Sequence, residues 1–153
     1  MERNRRLWRE LAFEKCGNVI LSVQALPAAQ SRSLYMHSAQ LLDHFQHPRN
    51  AGTMDSPDVS VQTENPACGD VMKLMLRVQN GTITAAKYQV RGCVAAIGCG
   101  SVLTEALIGK NISEATKITR ESLVETLGLP NESIHASYLA TDCLKLALTQ
   151  LMK

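Results

Sequence analysis

Thiols, carboxylates and imidazoles brought close together bind metal ions, and this 153-residue sequence offers such a set in Cys68, Asp70, Cys93 and His135. Two thiolates, one oxygen and one nitrogen are donors that metal ions such as Zn²⁺ accept. Whether the four meet depends on the segments that carry them. Met72, Leu74, Leu76 and Val78 alternate with Lys73 and Arg77, a second alternating run extends from Thr82 to Val90, and Asn80-Gly81 lies between them. Asn-Gly between two alternating runs signals a tight hairpin. With Asn80 and Gly81 as the loop, facing residues have numbers summing to 161, as Cys68 and Cys93 do. Extended past the strand ends, this register sets the two cysteines opposite each other, with Cβ atoms roughly 4.5 to 5.5 Å apart on one face.

Asp70, two residues beyond Cys68, is expected on the same side of the strand, as a hard oxygen ligand or a local base. Gly69 and Gly92 are expected to leave the backbone beside the cysteines uncrowded, giving an open site. Cys93 stands just before an expected helix, where free amides and the macrodipole lower a thiol's pKa. His135 opens the last helix and joins the site if that helix end packs beside the hairpin. Without metal, Cys68 and Cys93 would read as a cross-strand disulfide or a buried pair of small hydrophobes. Cys99 follows Cys93 by six residues, which on a helix separates them by roughly 9 Å and about 120°. It shares a face with Leu103 and Ala106, which favours the core, but it is kept as a further candidate ligand. Cys143 aligns with Leu139, Leu146 and Ala147 on an apolar stripe. Cys16 has no assigned role, and His37, His44 and His47 read as surface or helix-packing residues.

The elements that must position these groups form an α+β pattern. A short helix begins after Ser38 and stops before Pro48, and Val59 to Thr63 alternates as a strand. Beyond the hairpin come helices from Gly98 to Ile108, around Ser113 to Ile118, from Glu121 to Leu127 and, after the break at Gly128-Leu-Pro130, from about Ile134 to Met152. The hydrophobic content of 45% supports one compact domain. Five cysteines without a convincing leader point to a reducing compartment, read here as the cytoplasm. Residues 1–35 carry six Lys/Arg against three Asp/Glu and residues 36–153 carry ten against eleven, so the folded part is nearly neutral. With only 4% aromatic residues as well, nucleic-acid binding is excluded. No apolar run approaches the roughly 18 to 20 residues that span a bilayer. Residues 1–35 are expected to be an N-terminal extension, either disordered or a mis-called start upstream of Met36, and residues 36–153 the domain.

Four ordered blocks carry a resemblance. They are Asp43-His44-Phe45 with Pro48-Arg49-Asn50-Ala51-Gly52, Asn65-Pro66-Ala67-Cys68-Gly69-Asp70, Gly92-Cys93-Val94-Ala95-Ala96-Ile97, and the eight residues from His135 to Asp142. In this order and spacing they resemble the IscU/NifU N-terminal family of iron–sulfur cluster assembly scaffolds. The resemblance implies a three-stranded antiparallel sheet packed against helices, with a long C-terminal helix. It also implies a cysteine desulfurase as sulfur donor, a cluster of the two-iron (2Fe–2S) type built at Cys68, Asp70, Cys93 and His135, and apo iron–sulfur proteins as acceptors. Two departures matter. The family's third cysteine follows the histidine, and here that position is Ala136, which has no donor atom. The Leu-Pro-Pro-x-Lys segment read by a dedicated Hsp70-type chaperone is replaced by Leu129-Pro130-Asn131-Glu132-Ser133, so that partner is not carried over. Alternatives are a zinc-bound sulfur-transfer partner of a desulfurase and a degenerate module that docks to the desulfurase without metal.

Overall fold

The computed structural model describes residues 37–153; the expectations for residues 1–35, and Cys16, lie outside them. Three strands form one antiparallel sheet in the order β1-β2-β3, with β1 at Val59–Glu64, β2 at Val71–Gln79 and β3 at Thr82–Arg91. Asn80 and Gly81 both take positive φ, 53° and 75°, as the twist-matched two-residue hairpin turn requires.

The register departs from the simple count. Gln79 faces Thr82 and Val78 faces Ile83, but Arg77 faces Ala85, and the shifted pairing continues to Val71 opposite Arg91. Thr84 is the extra residue of a β-bulge, and its hydroxyl donates to the Arg77 carbonyl at 3.3 Å. Beyond the bulge, facing numbers sum to 162, so the expected pairing of Cys68 with Cys93 does not occur. Both cysteines also lie outside the strands.

Helices cover one sheet face. In chain order they are α1 (Ala39–Gln46), α2 (Val94–Leu107), α3 (Ile112–Ala115), α4 (Arg120–Leu127) and α5 (His135–Leu151), with a 3-10 turn at Asn131–Ser133. The class is thus the α+β arrangement expected, with the long helix last. Met72, Leu74 and Leu76 from β2 and Ala86, Tyr88 and Val90 from β3 point into a core shared with α2 and α5. Ser38 caps α1 by accepting from the Leu41 N–H and ties it to α4 by donating to the Leu127 carbonyl.

α2 is apolar around most of its circumference, as befits a helix with neighbours on several sides. It begins four residues earlier than expected, immediately after Cys93. Gly100 lets it approach the sheet: a Cβ there would stand 2.4 Å from the Tyr88 ring. The Tyr88 hydroxyl donates to the Ile97 carbonyl at 3.0 Å, fixing the first turns of α2 over β3. No helix among the described residues is long and apolar enough to cross a membrane.

Candidate metal centre

Cys68, Asp70 and His135 each present a ligand atom within 4.8 Å of the others. Three separate segments deliver this cluster and Cys93 beside it. The first is a closed turn hinged at Asn65. Its N–H donates to the Asp70 carbonyl at 2.8 Å, its carbonyl accepts from the Gly69 N–H at 2.7 Å, and its Oδ1 accepts from the Ala67 N–H at 3.0 Å. Gly69 closes the turn at φ 73°, a conformation glycine adopts without steric cost. Cys68 is exposed, whereas Asp70 is buried. Strand alternation therefore gave the right neighbours for an incorrect reason: residues 68 to 70 are a turn, and its curl brings the sulfur back toward the carboxylate.

The second segment is the start of α2, where Cys93 is the N-cap at φ −77° and ψ 170°. The third is the start of α5. His135 Nδ1 lies 3.0 Å from the Glu132 carbonyl, which can only accept, so Nδ1 carries the proton and Nε2 presents a lone pair. That nitrogen stands 3.8 Å from Cys93 Sγ and 4.0 Å from Asp70 Oδ2. A ligand histidine held by a carbonyl on its far nitrogen is the usual arrangement at metal sites. Asn65 escaped notice as a site-building residue, although Asn-Pro at a strand end is itself a turn signal. The Glu132 carbonyl, being backbone, leaves no trace in the sequence.

One atom of the donor set, Asp70 Oδ2, lacks an internal partner, and a cation would satisfy it. Asp70 Oδ2 is buried and has no hydrogen-bond partner, which is costly unless something positive completes it. Together with one imidazole nitrogen and two thiols, it fits a thiophilic divalent ion or iron.

The Cys93 thiol does not behave as its place at a helix start suggests. Burial raises its pKa, hydrogen bonds from the Ala96 and Ala95 amides lower it, and the nearby Asp70 carboxylate raises it again, with a net upward shift. Although the residue is exposed overall, the water lost around the sulfur outweighs the helix amides. A bound cation reverses that balance by favouring the thiolate.

Cys99 is the candidate the structure does not bring to the cluster. It is fully buried in the core on α2, and burial pushes its thiol up to about 12, with Cys93 adding to the shift. Cys143 is buried as well, its Sγ 3.7 Å from the Met72 carbonyl. Gly69 has open space around it, but Gly92 is crowded by Asp70, contrary to expectation. Ala136 is fully buried in the core beside His135. His44 is a packing residue, its Nδ1 2.8 Å from Ser101 Oγ.

With this geometry in place, comparison with known proteins is specific. A family model described as NifU-like N terminal domain matches residues 36–153. The chain is 44% identical over 114 residues to iron–sulfur cluster assembly scaffold protein IscU 1 of Archaeoglobus fulgidus, covering 74% of each chain. It is 41% identical over 116 residues to the scaffold protein IscU of Haemophilus influenzae, covering 73% of this chain and 92% of that one. Among solved structures, a scaffold protein for the SUF system from Fervidobacterium islandicum superposes with a TM-score of 0.65 at 19% identity. That match covers 76% of this chain and 98% of the other, and it bears on the fold alone.

Proposed function

The chain belongs to the family of NifU-like N-terminal domains, and from that premise we propose that it is an iron–sulfur cluster assembly scaffold whose assembly site is the Cys68, Asp70, Cys93 and His135 centre. Iron and the cluster are its cargo. The observation that carries this reading is the convergence of Cys68, Asp70 and His135 within 4.8 Å, with Cys93 Sγ 3.8 Å from His135 Nε2 and both cysteine residues exposed.

Each group has a role that follows from its setting. The exposed Cys68 sulfur, on a turn outside the strands, is the group a cysteine desulfurase can reach to deliver sulfur. Cys93, anchored at the start of α2, is the fixed thiolate. His135 Nε2 offers nitrogen, and Asp70 offers a hard oxygen that binds soft, thiolate-rich iron less firmly than sulfur does. Ala136 withholds the third family thiol. A two-iron cluster held by this set is labile and can pass to apo iron–sulfur proteins. The function is that of a carrier rather than a catalyst. The replaced lysine in Leu129-Pro130-Asn131-Glu132-Ser133 assigns no Hsp70-type chaperone, and free thiols at an exposed site suit a reducing compartment such as the cytoplasm.

The test is anaerobic reconstitution with ferrous iron, sulfide and a desulfurase. A visible chromophore should form and be lost in both Cys68→Ser and Cys93→Ser. Absence of iron binding in the unaltered protein would sink the reading. A second reading, a zinc-bound sulfur-transfer partner, draws support from the compactness of the donors, since 4.8 Å suits a single tetrahedral ion. It expects stoichiometric zinc in protein purified without added metal, faster desulfurase turnover and no chromophore.

A further inference from the structure

Two glycines flank the metal-binding thiols, and they are needed for opposite reasons. Gly69 has open space around it but a left-handed backbone, so a side chain would fit and the backbone would resist. Gly92 is the reverse. It is absent from the positive-φ glycines, so its backbone suits any residue, but the room for a side chain is taken. A Cβ there would lie 2.6 Å from Asp70 Cγ, 2.9 Å from Oδ1 and 3.0 Å from Cβ. What denies the space is the candidate ligand itself.

The carboxylate is held on that side by packing. Its Oδ2 is buried and without a hydrogen-bond partner, 4.0 Å from His135 Nε2. Asp70 itself is 8% exposed. Beyond its side-chain hydrogen bond with Cys93, the carboxyl group has little to anchor it, and it occupies the recess that Gly92 leaves by lacking a side chain. Adding one methyl would require Asp70 to rotate, which is sterically cheaper than moving the strand ends on either side.

We propose that Gly92 is a positioning residue: its missing side chain makes the recess that keeps the Asp70 carboxylate in the donor set. It specifies a hard oxygen donor at an otherwise sulfur and nitrogen centre. The inference rests on the reading of this site as a metal centre. It assigns Gly92 no contact with the metal.

The experiment is a double-mutant cycle on the full chain with Gly92→Ala, Asp70→Ala and the pair, read with Zn²⁺ by chelator competition and Co²⁺ by its visible spectrum. Gly92→Ala should weaken Zn²⁺ binding about tenfold, in the range seen for residues that support ligands. Its Co²⁺ spectrum should match that of Asp70→Ala, and the pair should bind no more weakly than Asp70→Ala alone. Thermal midpoints of the metal-free proteins give an independent reading. Gly92→Ala should lower the midpoint, and adding Asp70→Ala should restore most of the loss, because it removes the carboxyl group that the methyl meets. Equal weakening by Gly92→Ala with and without Asp70, or unchanged affinity, would overturn the role of Gly92 while leaving the metal centre standing. Failure of the unaltered protein to bind Zn²⁺, Co²⁺ or Fe²⁺ would overturn both.

Discussion

Cys99 and Cys143 are sealed in the core, and burial sets their thiols at about 12 and about 11 against an ordinary value of 9.0. In the unfolded chain both would ionise from 9.0 upward, whereas in the folded chain they stay protonated past pH 10. The folded state therefore binds more protons in that window, and stability falls as pH rises. The loss at pH 10 is on the order of 1 kcal/mol for each thiol. Urea unfolding of the metal-free protein at pH 8 and pH 10 should show this decline, and Cys99→Ala or Cys143→Ala should each flatten it. At the proposed metal centre the same kind of upward shift at Cys93 would make metal uptake compete with a proton, so binding should strengthen with pH. Ala136 sets the limit of what residue identity can achieve there. It is fully buried beside His135, and its methyl supplies packing without a donor.

At the level of elements, Ser101 on α2 is the point at which α1 and the segment after it are fastened. Its Oγ lies 2.8 Å from His44 Nδ1 and accepts from the Arg49 N–H at 2.9 Å. Burial lowers the His44 pKa, and Arg49 lowers it further against the opposing pull of Glu105 and Asp43, which favours the neutral ring beside the hydroxyl. Ser101→Ala would strand two polar groups, and denaturant unfolding should show a loss of about 1 to 3 kcal/mol with the metal centre unaltered. The sequence shows the hairpin because Asn80-Gly81 carries its own turn chemistry, and it shows α5 because Leu139, Cys143 and Ala147 keep a helical stripe. It hides the bulge, since nothing about Thr84 as a residue type marks it as unpaired. It also hides the arrival of His135, which depends on α5 packing across β1 and β2. The four candidate residues were legible as chemistry. Their meeting was not, because it is made by a turn and two helix starts instead of by strand pairing.

For the whole molecule, the candidate metal centre is where three parts of the chain distant in sequence are joined: the turn after β1, the start of α2 and the start of α5. A bound ion would link them as a crosslink absent from the unfolded chain. At a free Zn²⁺ concentration one hundred times the dissociation constant, the folded state gains about 2.7 kcal/mol. For a domain of this size the midpoint should rise on the order of 10 °C. Calorimetry with Zn²⁺, then with a chelator, should show the rise and its reversal, and Cys93→Ser should show neither. Thr84 bears on the molecule in another way. Because it stands outside the ladder, Ala86, Tyr88 and Val90 share the core face with Ile83, whereas regular pairing of Thr84 would have set Lys87, Gln89 and Arg91 on that face instead. Deleting Thr84 would close the ladder into regular alternation and leave Arg77 opposite Ala85 and Val71 opposite Arg91, so the faces would be kept. Position 84 can change its letter or be lost without turning the strand over, whereas one residue added to the regular pairing beyond it would exchange the two faces and disrupt the candidate metal centre at the far end of the strand without touching any of its ligands.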